Sequence, residues 1–446
     1  MHLVRDKDGL NGQMVVQSHR SKCGQTRGSL YKQLYEIEDF TINQPKNDAD
    51  MKKFLFLLLS VFVWADAMAQ EQCTPLEMEV KAEAGDTEAQ SKYGLRLLQQ
   101  GKTEEGLLWL KKAAEQGYSE AQYNIGVYYY NNKDHVQALS WWEKAAIQND
   151  VDAQKRLGLH YLNNNNYEKA FPWLEKAANA GDSDAQCGLG SYYNFYKKDD
   201  KQAEYWYTKS ANQNNVQAQN FLGVLCMESN KNEEGVKWFK KAAEAGYPNA
   251  QFNLGLHYEK NKDWEQAVIW YKKAAEQGDD KAQSSLGAYY FNNKNFEMGL
   301  FWFEKAAEQG NAMAQSSLGY YYDNIRKDIA KAEFWYKKAA EQGNSSAQNN
   351  LGLICMNKKQ TEEGVYWLKK AAKQGNVNGE FNLGLHYYNN KNYIEAFPWL
   401  KKAAEHGHIG AMKQLSACYR YGRGVEKNVV QAEFWTNRAK QASNNP

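Results

Sequence analysis

Residues 250–278 read AQFNLGLHYEKNKDWEQAVIWYKKAAEQG, and two helices are written into that string. With Ala250 as position zero, small or apolar side chains fall at positions 0, 4, 5 and 8: Ala250, Leu254, Gly255 and Tyr258. Those steps mark one face of an α-helix. Ala267, Trp270, Tyr271, Ala274 and Ala275 then fall at 17, 20, 21, 24 and 25, a second helical stripe. The stretch therefore predicts two amphipathic helices joined by a short turn. Its opening Ala-Gln, with a Gly five residues after the Ala, recurs at spacings of 32 or 33 residues from Ala89-Gln90 to Ala347-Gln348. Altered copies at Gly379-Glu380 and Ala411-Met412 complete eleven units. A period of this length belongs to stacked repeats, in which each hairpin borrows its core from its neighbours.

The small residues within each unit carry a packing message. Gly255 sits inside the first helix, where it costs about 1 kcal/mol relative to Ala. Its recurrence in ten units predicts a neighbour too close for a Cβ. A Trp recurs in every unit, from Trp109 and Trp142 through Trp270 to Trp435, and reads as the large knob filling the space that Gly and Ala leave. Glycines such as Gly117, Gly246 and Gly278 stand where a helix C-terminus needs them. Thr87, Ser119 and Ser183 stand at expected N-caps, and Pro248 at a first turn. Asn-rich corners, such as Asn131-Asn132 and Asn163 to Asn166, suit left-handed backbone. Pro172 and Pro398 require their helices to begin around Glu168 and Ile394.

These units resemble Sel1-like repeats, relatives of the tetratricopeptide repeat. The shared pattern is A…LG..Y in the first helix and KA..WY.KAA.QG in the second, over about residues 77 to 440. The resemblance implies an all-α, right-handed α-solenoid (superhelix) of about eleven helix-turn-helix repeats. The family's usual GxGV turn survives only in the last unit, as Gly422-Arg423-Gly424-Val425; the other units have tighter, tetratricopeptide-like turns.

Both ends of the chain differ from the array. From Met51, Lys52-Lys53, an apolar run from Phe54 to Trp64 and Ala67-Met68-Ala69 form the three parts of an export signal. The run is too short to span a bilayer. Cleavage is expected after Ala69. Cys73 lacks the small residues that bacterial lipidation needs before it. The organisation read from sequence is thus 1–50 as a non-native or disordered extension, 51–69 as signal peptide and 70–85 as an N-terminal cap. Residues 86–440 form the repeat array, and 441–446 form a disordered tail. The expected location is the periplasm or the exterior, with no stable membrane insertion after signal cleavage.

The formal charge of +2 and the absence of basic runs argue against nucleic acid as a partner. Lys-Lys pairs such as Lys111-Lys112 and Lys240-Lys241 read as solvated faces that complement helix C-termini. Five cysteines follow the signal with no CxxC spacing; Cys226 and Cys355 occupy a Tyr position and read as buried hydrophobes. No metal or other cofactor is expected. His160, His257 and His386 share position 7 but stand three or four units apart, and His406-Gly407-His408 has no third ligand. Catalytic motifs are missing: Ser-x-x-Lys occurs only at Ser29 and Lys32, ahead of the signal.

What remains is a surface. Positions 3 and 7 of the first helices flank the core stripe, on the side that lines the concave face in related solenoids. There Asn124, Asn253, Asn350 and Asn382 accompany Tyr128, His160, His257, Tyr289, Tyr321 and His386. Rings supply contact area and amides grip an extended backbone, which suits a protein or peptide partner. The function expected is an exported, non-catalytic binding scaffold. The alternatives are an envelope enzyme of the kind that some Sel1-like proteins have been described as, acting on β-lactams or peptidoglycan, and a secreted host-interaction factor.

Overall fold

The computed structural model describes residues 75–444, so the readings of residues 1–50 and of the leader at 51–69 lie outside it. All regular structure among the described residues is helical. Two compact units divide the chain, one ending at Leu157 and the other starting at Gly158. The first holds helix Pro75–Glu83 and the hairpins Thr87–Gln99/Thr103–Glu115 and Ser119–Asn131/His135–Ile147. The boundary falls inside helix Val151–Asn163. In the second, helix Tyr167–Asn179 precedes eight further hairpins, from Ser183 to the last helix, Val429–Asn444.

Within a hairpin the close approach is real, but the knob is not the one expected. A Cβ on Gly255 would sit 2.5 Å from Tyr271 Cδ1, and one on Gly287 equally near Phe303. Gly319 meets Tyr336, and Gly352 meets Leu368. The partner is the residue after the Trp. Trp142 belongs to this inner position and Trp141 to the outer one, so in this repeat both positions carry Trp: Trp142 is 2 % exposed and closes on Gly126. Most outer Trp rings are half-buried and covered by a lysine from the next turn. Lys112, Lys241 and Lys273 place Nζ 3.9, 4.2 and 4.0 Å from the ring centroids of Trp109, Trp238 and Trp270. The second lysine of each pair is therefore a ring contact.

Stacking of hairpin on hairpin runs through the buried Gln after the opening Ala. Gln251 Nε2 donates to the Ala243 carbonyl of the preceding second helix at 3.0 Å. Its Oε1 accepts from Gln277 Nε2 at 2.8 Å, at the end of its own second helix. The same pair of bonds forms at Gln90, Gln122, Gln186, Gln283, Gln315 and Gln348. Gln90 bonds to Ala82, so helix Pro75–Glu83 stands in for a preceding second helix. At Glu380 the ladder changes chemistry: its buried carboxylate faces His406 Nδ1 at 2.8 Å.

The caps lie one residue earlier than expected. Asp86 and Asp182, ahead of Thr87 and Ser183, accept from the amides of Ala89 and Ala185, and Tyr118 ahead of Ser119 makes no side-chain cap bond. Asp and Asn oxygens reach the third amide of the helix, which is the opening Ala. At the corners within hairpins the left-handed residue is more often Lys than Asn: Lys133, Lys262, Lys294, Lys359 and Lys391 all have φ near +60°. The corner Asn instead turns back onto the helix, as Asn132 Nδ2 does on the Tyr128 carbonyl at 2.8 Å. Pro172 and Pro398 lie inside helices beginning at Tyr167 and Tyr393, earlier than expected. Both prolines are solvent-facing, so each carbonyl deprived of a donor is open to water.

Two units run 33 residues between their opening alanines, Ala185 to Ala218 and Ala314 to Ala347. Both end their first helix in a π-helical segment, Tyr192–Lys197 and Tyr321–Ile325. The extra residue is absorbed there as a wider turn. In the last repeat the longer loop folds back: Arg423 donates to the Tyr388 hydroxyl, and Gly424, at φ +75°, lies against the Tyr393 carbonyl. Cys187, Cys226, Cys355 and Cys418 are buried and unpaired.

Gln251→Leu should cost about 1–3 kcal/mol, because it removes two hydrogen bonds at a buried position, one to the Ala243 carbonyl and one from the Gln277 amide; urea denaturation measures it. Gly255→Ala should lose a similar amount through overpacking against Tyr271, read as a fall in Tm.

Candidate binding surface

The first helices carry the surface because their inner face is committed. Position 0 meets the previous repeat and position 5 meets the second helix, while positions 3, 6, 7 and 10 flank that face and are partly exposed in many repeats. In the second unit two hollows open on this side. One, of about 620 Å³, is lined by Leu256, Glu259, Trp264, Ser284, Ser285, Ala288, Tyr289, Asn292, Asn293, Phe303, Met313 and Ser317. The other, of about 320 Å³, is lined by Val224, Met227, Glu228, Asn232, Phe239, Asn253, Leu256, His257, Lys260 and Asn261. Leu256 is shared by both and is 41 % exposed.

Three expected residues meet here: Asn253 and His257 in the smaller hollow, and Tyr289 in the larger. Some of the expected residues are also spent on structure. Asn253 Nδ2 donates to Asn220 Oδ1 at 2.9 Å, and Asn382 repeats that bond to Asn349 at 2.8 Å. Asn349 donates in turn to Asn350 Oδ1 at 3.0 Å. These amides tie first helices to one another, which leaves them less free to grip a partner. Tyr321 is buried at the start of its π-helical segment, edge-on to Tyr322 and near Phe291. Asn350, Asn382 and His386 are half-buried and line neither hollow. Asn124, Tyr128 and His160 are half-buried as well; Tyr128 packs edge-on to Tyr129, and His160 to Tyr161.

Position 6 was missed. Val127, Leu159, Val224, Leu256, Tyr320 and Leu353 occupy it, and the last three of these are well exposed. An apolar residue recurring beside a core stripe that already accounts for positions 4, 5 and 8 was the available signal. Met313, 66 % exposed, and Trp264 complete the apolar lining. Trp264 and Tyr289 face each other at 5.9 Å between centroids, tilted by 31°.

Two of the histidines at position 7, His257 and His386, have lowered pKa values. Burial, then Lys240 and Lys260, lowers the His257 pKa below its usual value. Burial alone lowers that of His386. His257 Nε2 lies 3.0 Å from Asn261 Nδ2, which suits a ring nitrogen that accepts. His406 and His408 do not form a metal site: His406 faces Glu380, while His408 Nδ1 caps the Ala411 amide at 3.0 Å. No cluster able to hold a metal occurs among the described residues, and no helix there is long and apolar enough to cross a membrane.

The Sel1 repeat family model matches eleven consecutive segments, from 87–118 to 409–444. The chain belongs to the Sel1 repeat family. It is similar to the crystal structure of a protective antigen of uropathogenic Escherichia coli strains that displays an SLR fold. That likeness has 30% identity and a TM-score of 0.61, over 84% of this chain and 90% of that one. A Sel1 repeat protein from Oxalobacter formigenes shares 31% identity with a TM-score of 0.51, over 63% of this chain and 90% of that one. No curated protein matches the chain. As a Sel1 repeat solenoid, the chain has the architecture of a protein-interaction scaffold.

Because the folded-state pKa of both histidines is depressed, the neutral rings contribute fully above about pH 6.5. That contribution is lost as pH falls from there through the folded values. Titration followed by NMR should place the midpoints of His257 and His386 below those of a model peptide.

Proposed function

We propose that this protein is an exported, non-catalytic scaffold that holds a protein or peptide along the first-helix face of its repeats. The paired hollows carry this reading. They share an exposed leucine, are walled by rings and methionine, and are edged by serine and asparagine, the mixture that suits an extended peptide. The missing catalytic motifs support a binding role over an envelope enzyme. The leader read at residues 51–69 supports export. The likeness to a protective antigen keeps a secreted, host-facing role as a second reading.

Three measurements test this. Leu256→Glu with His257→Ala should keep the helical circular dichroism while reducing partner capture from envelope extract at least tenfold; undiminished capture would remove the groove assignment. Fractionation should find the chain in periplasm or medium, and retention in the cytoplasm would end the export reading. Turnover of nitrocefin or muropeptides would overturn the non-catalytic role.

A further inference from the structure

The larger hollow contains one charged side chain, Glu259, in an unusual setting. The Tyr271 hydroxyl donates to Glu259 Oε2. Tyr271 is 1 % exposed. Burial first, and the neighbouring carboxylate second, push its phenol well above the usual range, so the proton stays on the tyrosine. A core hydroxyl therefore fixes a carboxylate that lines an open hollow. Other repeats lack this arrangement. Tyr207 donates to Ser191, and the Tyr336 hydroxyl has no hydrogen-bond partner. Among the described residues no lysine or arginine forms an ion pair with Glu259.

We propose that this hollow is a subsite for an organic cation, with a partner's arginine or lysine side chain as its occupant. Three features select that chemistry. An apolar occupant would strip water from Glu259 and return nothing, and an anion would be repelled. A cation gains a charge-assisted hydrogen bond to an acceptor that is already oriented. The tilted rings of Trp264 and Tyr289 line the same space and offer π-faces to a guanidinium or ammonium. Leu256 and Met313 supply apolar contact for the methylene stem of a long basic side chain. About 620 Å³ accommodates such a side chain with part of its backbone.

The subsite rests on the peptide-binding reading and adds to it the identity of an anchor residue. The test uses the full chain and three probes: the blocked tripeptide Gly-Arg-Gly, its citrulline counterpart and arginine amide, titrated by calorimetry or NMR. The expected result is that the arginine peptide binds at least tenfold more tightly than the citrulline peptide. Glu259→Gln, which keeps side-chain shape, should abolish the difference, and Trp264→Ala should weaken the arginine probe several-fold. Tighter binding of the peptide than of arginine amide assigns the cation to a peptide partner; equal binding assigns it to a free small cation, and both keep the carboxylate subsite. Equal affinity for arginine and citrulline peptides, no binding of either, or an unchanged Glu259→Gln variant overturns it. Partner capture that is lost in Leu256→Glu but intact in Glu259→Gln would overturn the cation subsite alone and leave the scaffold reading standing.

Discussion

The buried glutamine at the second position of nine of the eleven repeats is the constraint on which the architecture turns. Two amphipathic helices can form from sequence pattern alone, but nothing in that pattern says how one hairpin meets the next. Gln251 settles it with both ends of one amide: the nitrogen reaches the preceding hairpin, and the oxygen reaches the far end of its own. A polar group held at 4 % exposure is tolerated only when both valences are met. Any sliding or rotation of a hairpin against its neighbour would break the bond from the amide nitrogen and leave that buried donor unpaired. Apolar contacts between alanines, by comparison, are permissive about register.

The periodic part of the sequence disclosed the helices, their pairing and the family. It also showed that glycine marks a close approach. It did not disclose which neighbour approaches, because Trp and the residue after it are both large and both recur. Only packing separates the inner Tyr271 from the outer Trp270. The same limit explains the caps, where an Asp followed by a Thr or Ser offers two capping side chains in a row. The binding surface was legible in part. Position 7 was found because it breaks the core pattern with polar rings. Position 6 was missed because an exposed leucine resembles a buried one in sequence. Asn253 and Asn382 at position 3 were chosen for their chemistry, and that chemistry is used between elements of the fold.

The ladder of amides is not uniform, since Met412 replaces the Gln of the last repeat and Ala245 the partner of Gln219, but at one position the change is paired. Where Gln becomes Glu380, the partner Gln becomes His406, so that a donor still faces an acceptor. His408, two residues on, replaces the usual Asp or Asn cap with a ring nitrogen, and its ring stacks on Phe381 at 4.1 Å. The junction between the last two hairpins therefore keeps the geometry of the others with different functional groups, which indicates that the geometry, rather than the residue type, is what the stack requires.

The π-helical segments at Tyr192–Lys197 and Tyr321–Ile325 have a consequence for how such a chain can change length. A single codon added near the exit of a first helix widens one turn and goes no further. The asparagine or aspartate that opens the next repeat still lands where it must. Growth by one residue is thus a local event in this polymer of hairpins.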